Sequence, residues 1–108
     1  MNNTQEGYIP GKTIYQRVGE GMQIKKNGQT LEIIINRIGD STIEVLVSGA
    51  AGRDPYTPIQ LSRRRMPELD LGRNIKVTVK YEAISAIRAP MVYRAPEGYQ
   101  FTPINTDI

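Results

Sequence analysis

The chain contains no cysteine and no histidine. The first absence excludes disulfides, thiolate metal sites and cysteine nucleophiles. The second removes the commonest general base and the commonest metal ligand. Catalysis would then have to rest on paired carboxylates or an activated lysine. The 11 acidic residues, however, are scattered singly among strand patterns and charged turns. The sequence therefore reads as that of a non-enzyme, with no cofactor and no metal. Long apolar runs are also missing: none approaches the roughly 18 residues needed to cross a bilayer. The opening Met1 to Gly7 lacks the basic and apolar regions of a secretory signal. A soluble, cytoplasmic protein is expected, with residues 1–12 as a flexible tail. No stretch carries a helical stripe. The glycines mark turns rather than a phosphate-binding loop, so nucleotide hydrolysis finds no support.

What is present is β-strand pattern. At 108 residues and 12.1 kDa the chain suits one compact domain, taken as residues 13–108. Thr30 to Ile38 and Ser41 to Ser48 are rich in β-branched residues and flank Gly39-Asp40, which predicts a hairpin with a type II′ turn. In its second strand Ile43, Val45 and Val47 face one way, Glu44 and Ser48 the other. Lys26-Asn27-Gly28 marks an earlier turn, and Thr13 to Val18 an earlier strand. Tyr56 to Arg64 resumes the pattern, with Pro58 restricting it to an edge. Ile75, Val77, Val79 and Tyr81 alternate with Lys76, Thr78, Lys80 and Glu82 in the cleanest period of two. From Ile84 onward, Pro90, Pro96 and Pro103 disfavour helix and predict short strands joined by turns. The fold class expected is all-β, a small antiparallel or mixed sheet sandwich or barrel-like domain.

The net charge of +3 is unevenly placed: residues 1–52 are balanced, and the excess of Lys and Arg lies after Gly52. Clustered cations suit an anionic partner through counterion release. Tyr56-Thr-Pro-Ile59 matches Phe101-Thr-Pro-Ile104, and each ends a segment with the same order of parts. This suggests a repeat 1 over about 13–59 and a repeat 2 over about 60–104.

Gln16-Arg17-Val18-Gly19-Glu20 with Met22 and Ile24 in the first repeat, and Leu61-Ser62-Arg63-Arg64 with Leu69, Leu71, Gly72, Ile75, Val77, Thr78 and Val79 in the second, resemble the carbon storage regulator (CsrA/RsmA) family of RNA-binding translational repressors. Ala95-Pro96-Glu97 is similar to the family's Ala-Pro loop. The resemblance implies two CsrA-like strand units and a tandem copy of a two-chain dimer, in which the first strand of one subunit lies beside the last strand of the other. Because Tyr56 to Ile59 runs directly into Gln60 to Arg64, those two segments cannot be parallel neighbours. The second arginine strand is expected beside another edge, such as Gln100 to Ile104, or in a second chain. The family's last-strand arginine is replaced by Pro58 and Pro103, and Met66-Pro67 stands for Val-Gly.

The nucleic-acid-binding residues expected are Leu61, Ser62, Arg63, Arg64 and Arg65, supported by Arg17, Lys76 and Lys80. Arginine forks suit phosphate and guanine, and stack on bases. Tyr15 is a candidate for base stacking, and Arg88-Ala-Pro90 with Tyr93 and Arg94-Ala-Pro96 reads as a cationic, aromatic loop. The function expected is an RNA-binding post-transcriptional regulator that occludes its transcript. The alternative is a structural or assembly protein, a homo-oligomer built through β edges. Changing Arg63 and Arg64 together to alanine should weaken RNA binding and flatten its salt dependence in fluorescence anisotropy. Unchanged affinity would remove the pair from the contact.

Overall fold

A computed structural model of the chain describes residues 8–39, 42–49, 57–62, 67–80 and 88–105. They form nine strands: β1 (Thr13–Gln16), β2 (Gly21–Lys26), β3 (Gln29–Ile38), β4 (Thr42–Ser48), β5 (Thr57–Ser62), β6 (Glu68–Asp70), β7 (Lys76–Val79), β8 (Ala89–Arg94) and β9 (Gln100–Ile104). One sheet has the order β1-β8-β7-β6, hereafter the four-stranded sheet. The other has the order β5-β4-β3-β2-β9, the five-stranded sheet. Every strand pair is antiparallel, so of the expected alternatives the antiparallel form holds and the mixed sheet does not. No helix among the described residues is long and apolar enough to cross a membrane.

Local chemistry accounts for the strand boundaries. Asn27 and Gly28, at φ 52° and 81°, form the left-handed pair that a tight two-residue hairpin requires between β2 and β3. In β4, Ile43, Val45 and Val47 are buried while Thr42, Glu44, Leu46 and Ser48 are half-buried, as a period of two demands. The same inner faces of both sheets merge into one apolar cluster: Met22, Ile33, Ile35, Val45 and Leu61 from one, Leu69, Val77, Met91 and Tyr93 from the other. The two sheets are therefore the layers of a sandwich around a shared core.

Several expectations are corrected. The divide between Ile59 and Gln60 falls inside one strand, β5, which pairs with β4. Gln100 to Ile104 pairs with β2, so it is not the neighbour of the Leu61-Ser62 segment. Pro58 does lie in an outer strand. Arg88 to Pro96 is not a loop, because β8 runs through it between β1 and β7. The first strand ends at Gln16, and Val18-Gly19 are in a turn. Tyr8 to Lys12, expected as tail, is tied down: the Tyr8 hydroxyl accepts the Tyr93 N–H at 2.9 Å and lies against the carbonyls of Tyr93 and Lys12. Its ring packs edge-on to Tyr93, with centroids 5.9 Å apart. Asp40 and Ser41 of the expected II′ turn, and Tyr81 and Glu82, lie outside the described residues.

One polar chain crosses the apolar interior. The Tyr93 hydroxyl donates to Gln16 Oε1 at 2.7 Å, and Gln16 Nε2 donates to the Gly21 carbonyl at 2.6 Å. This links β8 and β1 of one sheet to β2 of the other. Gly21 has to be glycine there, since a Cβ would sit 1.8 Å from the Ile33 carbonyl oxygen. Burial pushes the Tyr93 phenol far above its ordinary pKa, with Tyr8 adding to the effect. Tyr8 is raised too, mainly by desolvation. An unfolded tyrosine releases its proton near pH 10, whereas these folded ones hold it. The stability they contribute is thus complete below about pH 10 and is lost as pH rises further. Tyr93→Phe should cost about 1–3 kcal/mol in urea denaturation at pH 7, because Gln16 Oε1 is left unpaired. It should also make the alkaline loss of stability shallower than in the unaltered chain.

Candidate nucleic-acid interface

The outer face of the four-stranded sheet gathers cations from β7, from β8 and from the residues that flank β1, β7 and β8. Strand alternation turns Ile14 and Gln16 of β1 inward and leaves Thr13 and Tyr15 outward, with Tyr15 52% exposed. On β8, Ala89, Met91 and Tyr93 belong to the core cluster. Pro90, Val92 and Arg94 take the opposite face, where Val92 is buried outside that cluster.

The registers set rows across this face. Arg17 and Arg88 stand just beyond the last β1–β8 pair, Gln16 with Ala89. Next, Tyr15 lies opposite Pro90, whose carbonyl accepts the Lys80 N–H at 2.8 Å. Thr13, Val92, Thr78 and Glu68 follow, with the Thr78 hydroxyl 3.2 Å from Glu68 Oε2. Arg94, Lys76 and Asp70 form the last row. Neighbouring strands lie ~4.8 Å apart and same-face residues ~6.8 Å apart along a strand; Pro90 and Val92 at the centre of the face are buried, and the exposed side chains around them include Tyr15, Arg17, Lys80, Arg88 and Arg94.

Among the described residues, charge separates the two outer faces. The four-stranded sheet presents Arg17, Lys76, Lys80, Arg88 and Arg94, with Glu68 and Asp70 confined to its β6 edge. Glu20, only 8% exposed, holds Arg17: its Oε1 accepts the Arg17 N–H at 2.8 Å, and its Oε2 is 3.7 Å from Arg17 Nη2. On the five-stranded sheet, Lys25 and Arg37 are offset by Glu32 and Glu44, which accept hydrogen bonds from Gln23 and Asn36. At the far end of the first face, Arg94 stands near the half-buried Tyr8, where its positive charge partly opposes the rise in that phenol's pKa due to burial.

The structure brings Arg17, Lys76 and Lys80 onto this face, together with Tyr15, Arg88 and Arg94. Leu61 and Ser62 are in the other sheet, on β5. Leu61 is fully buried in the core, so its side chain packs rather than contacts a ligand, and Ser62 is half-buried beside Thr42. Arg63, Arg64 and Arg65 lie outside the described residues. Tyr93, expected in a ligand-holding loop, is buried with its hydroxyl on Gln16. Combining Arg88 and Arg94 with Lys76 and Lys80 needed the pairing of β7 with β8. The only hint of it in the sequence is that Arg88, Pro90, Val92 and Arg94 share one strand parity.

Leu61→Ala should lower stability by about 2–5 kcal/mol in chemical denaturation, as removal of a buried side chain does. Tyr15→Ala should cost about 1 kcal/mol or less, as expected of a surface position. No family model, no curated protein and no solved structure matches the chain.

Proposed function

We propose that this protein binds single-stranded RNA on the outer face of its four-stranded sheet. In this reading it is a non-enzymatic, cytoplasmic post-transcriptional regulator that occludes its target. The observation that carries the proposal is the half-exposed Tyr15 ring on a sheet surface between the Arg17–Arg88 and Arg94–Lys76 rows, with Lys80 in its own row. A flat ring offers a base a stacking platform and the surrounding cations take up phosphates, a combination that is tolerant of sequence.

The likeness to the carbon storage regulator family draws support from the way the halves interleave. The meander β2-β3-β4 is flanked by β5, which straddles the divide between the repeats, and by β9 from the second repeat, and the meander β6-β7-β8 is extended by β1 from the first. The Ile35 N–H to Glu20 carbonyl bond, 2.8 Å, and the Val79 N–H to Pro67 carbonyl bond, 3.0 Å, hold the same place in the two meanders, one residue out of step with the match of Met66-Pro67 to Val18-Gly19. A tandem duplication that builds a two-chain arrangement within one chain accounts for both observations.

A second reading, self-assembly, is favoured by a row on the outer face of the five-stranded sheet in which Pro58, Leu46, Ile34, Gly21 and Ile104 are successive cross-strand partners. Pro58 and Pro103 in the two outer strands oppose edge-to-edge pairing, so this assembly is face to face. It requires a light-scattering mass above that of one chain, returned to one chain by Leu46→Lys.

Fluorescence anisotropy with a stem-loop RNA presenting GGA and a scrambled control, at two salt concentrations, tests the first reading. Tyr15→Ala is expected to lose about 1–3 kcal/mol of affinity and Tyr15→Phe to lose little, since stacking needs the ring and not the hydroxyl. Lys76→Gln with Lys80→Gln should flatten the salt dependence. Binding that none of these changes alters would place the RNA elsewhere, and no binding at either salt would leave the assembly reading.

A further inference from the structure

A cleft of about 420 Å³ opens at one end of the sandwich, away from the Tyr15 row. Its floor is apolar, made by Ile24 and Leu31 of one sheet and by Leu71 and Ile75 around the β6–β7 turn of the other. A smaller notch continues from it and shares Gln29, Arg73 and Tyr99, adding Lys26 and Asn27. Lys26 Nζ lies 5.0 Å from the centre of the Tyr99 ring. The Arg73 guanidinium reaches across the mouth to Gln29 Oε1 at 2.6 Å, which uses one of its five N–H donors. Among the described residues, none that lines the cleft or the notch is acidic.

The backbone at Arg73 is left-handed. Gly72, Arg73 and Asn74 all have positive φ, at 86°, 55° and 62°. Glycine and asparagine adopt that region readily, whereas arginine does so at a cost in strain. Gly72 has open space around it and the Asp70 carboxylate accepts its N–H at 2.8 Å, so the turn itself is well formed without an arginine at its tip. Strain held at a side chain that overhangs a cavity points to use of that side chain.

We infer that this cleft binds an amphiphilic monoanion, its apolar body on Ile24, Leu31, Leu71 and Ile75 and its anionic head between Arg73 and Lys26. This goes beyond RNA binding and does not depend on it. A buried apolar floor with a few convergent polar groups at the rim is the usual build of a small-molecule site, and the volume lies in the range of such sites. Among the described lining residues the charged groups are the two cations, which select the sign of the head.

The test is an NMR titration of the isotopically labelled full chain with decanoate, decan-1-ol and acetate. Decanoate should give saturable shifts at the amides of Leu31, Gly49, Gly72 and Ile75. Decan-1-ol should bind about tenfold more weakly or worse, and acetate should not saturate. Arg73→Gly removes the guanidinium and relieves the left-handed backbone, so the variant should keep the fold and melt no lower than the unaltered chain. It should lose about tenfold or more in decanoate affinity with decan-1-ol unchanged. The inference is overturned by equal affinity for decanoate and decan-1-ol, by shifts spread over the outer sheet faces, by no saturation at all, or by an Arg73→Gly variant that binds decanoate as before.

Discussion

The two sheets are joined by a hydrogen-bonded chain that runs through the apolar core: Tyr93 to Gln16 to the Gly21 carbonyl. A buried amide without partners costs more than most single contacts contribute, so Gln16 has its low-energy position only when β8, β1 and β2 are all in register. Apolar contacts are non-directional, whereas each hydrogen bond of this chain fixes a distance and an angle. The hydrogen-bonded chain therefore determines which end of β1 meets the other sheet. The turn from Arg17 to Glu20 is held next to it by the Gly19 N–H on the Ile35 carbonyl and by Glu20 on the Arg17 N–H.

The position of the cationic face follows from that constraint. Once Gln16 is buried, the alternation of β1 turns Tyr15 outward and leaves Arg17 beyond the strand end, level with Arg88. The core positions of Met91 and Tyr93 put Arg94 outside in the same way, beside Lys76 on β7. At the opposite end, three chain reversals converge: the β2–β3 hairpin, the β6–β7 turn and the segment before β9. They leave the cleft whose mouth Arg73 spans. The interface and the cleft thus sit at separate places on one frame, one on a sheet surface and one between the layers.

Much of the frame was legible in the residues. Ile43, Val45 and Val47 alternate with polar neighbours, as do Ile75, Val77 and Val79, and a half-buried strand has to repeat every two residues. Asn27-Gly28 named its own turn because few residue pairs accept two left-handed conformations. The candidate site was legible only in part. Lys76, Lys80, Arg17 and Tyr15 stood out as strand cations and a strand aromatic, but Arg88 and Arg94 looked like parts of a loop, since their flanking prolines are uncommon in a strand with neighbours on both sides. Leu61 looked like part of a contact because it adjoins the arginines, although its parity in β5 turns it into the core.

The sequence by itself determined the all-β class, the in-and-out alternation of the main strands and the tight turn at Asn27-Gly28, because these depend on backbone conformation and on spacing within a few residues. Only the tertiary structure decided which strands are neighbours: β5 beside β4, β9 beside β2, and β1 beside β8 across most of the chain length. Pairing at such separations is set by the fit of whole faces and by the satisfaction of buried groups such as Gln16, and no local run of residues encodes either.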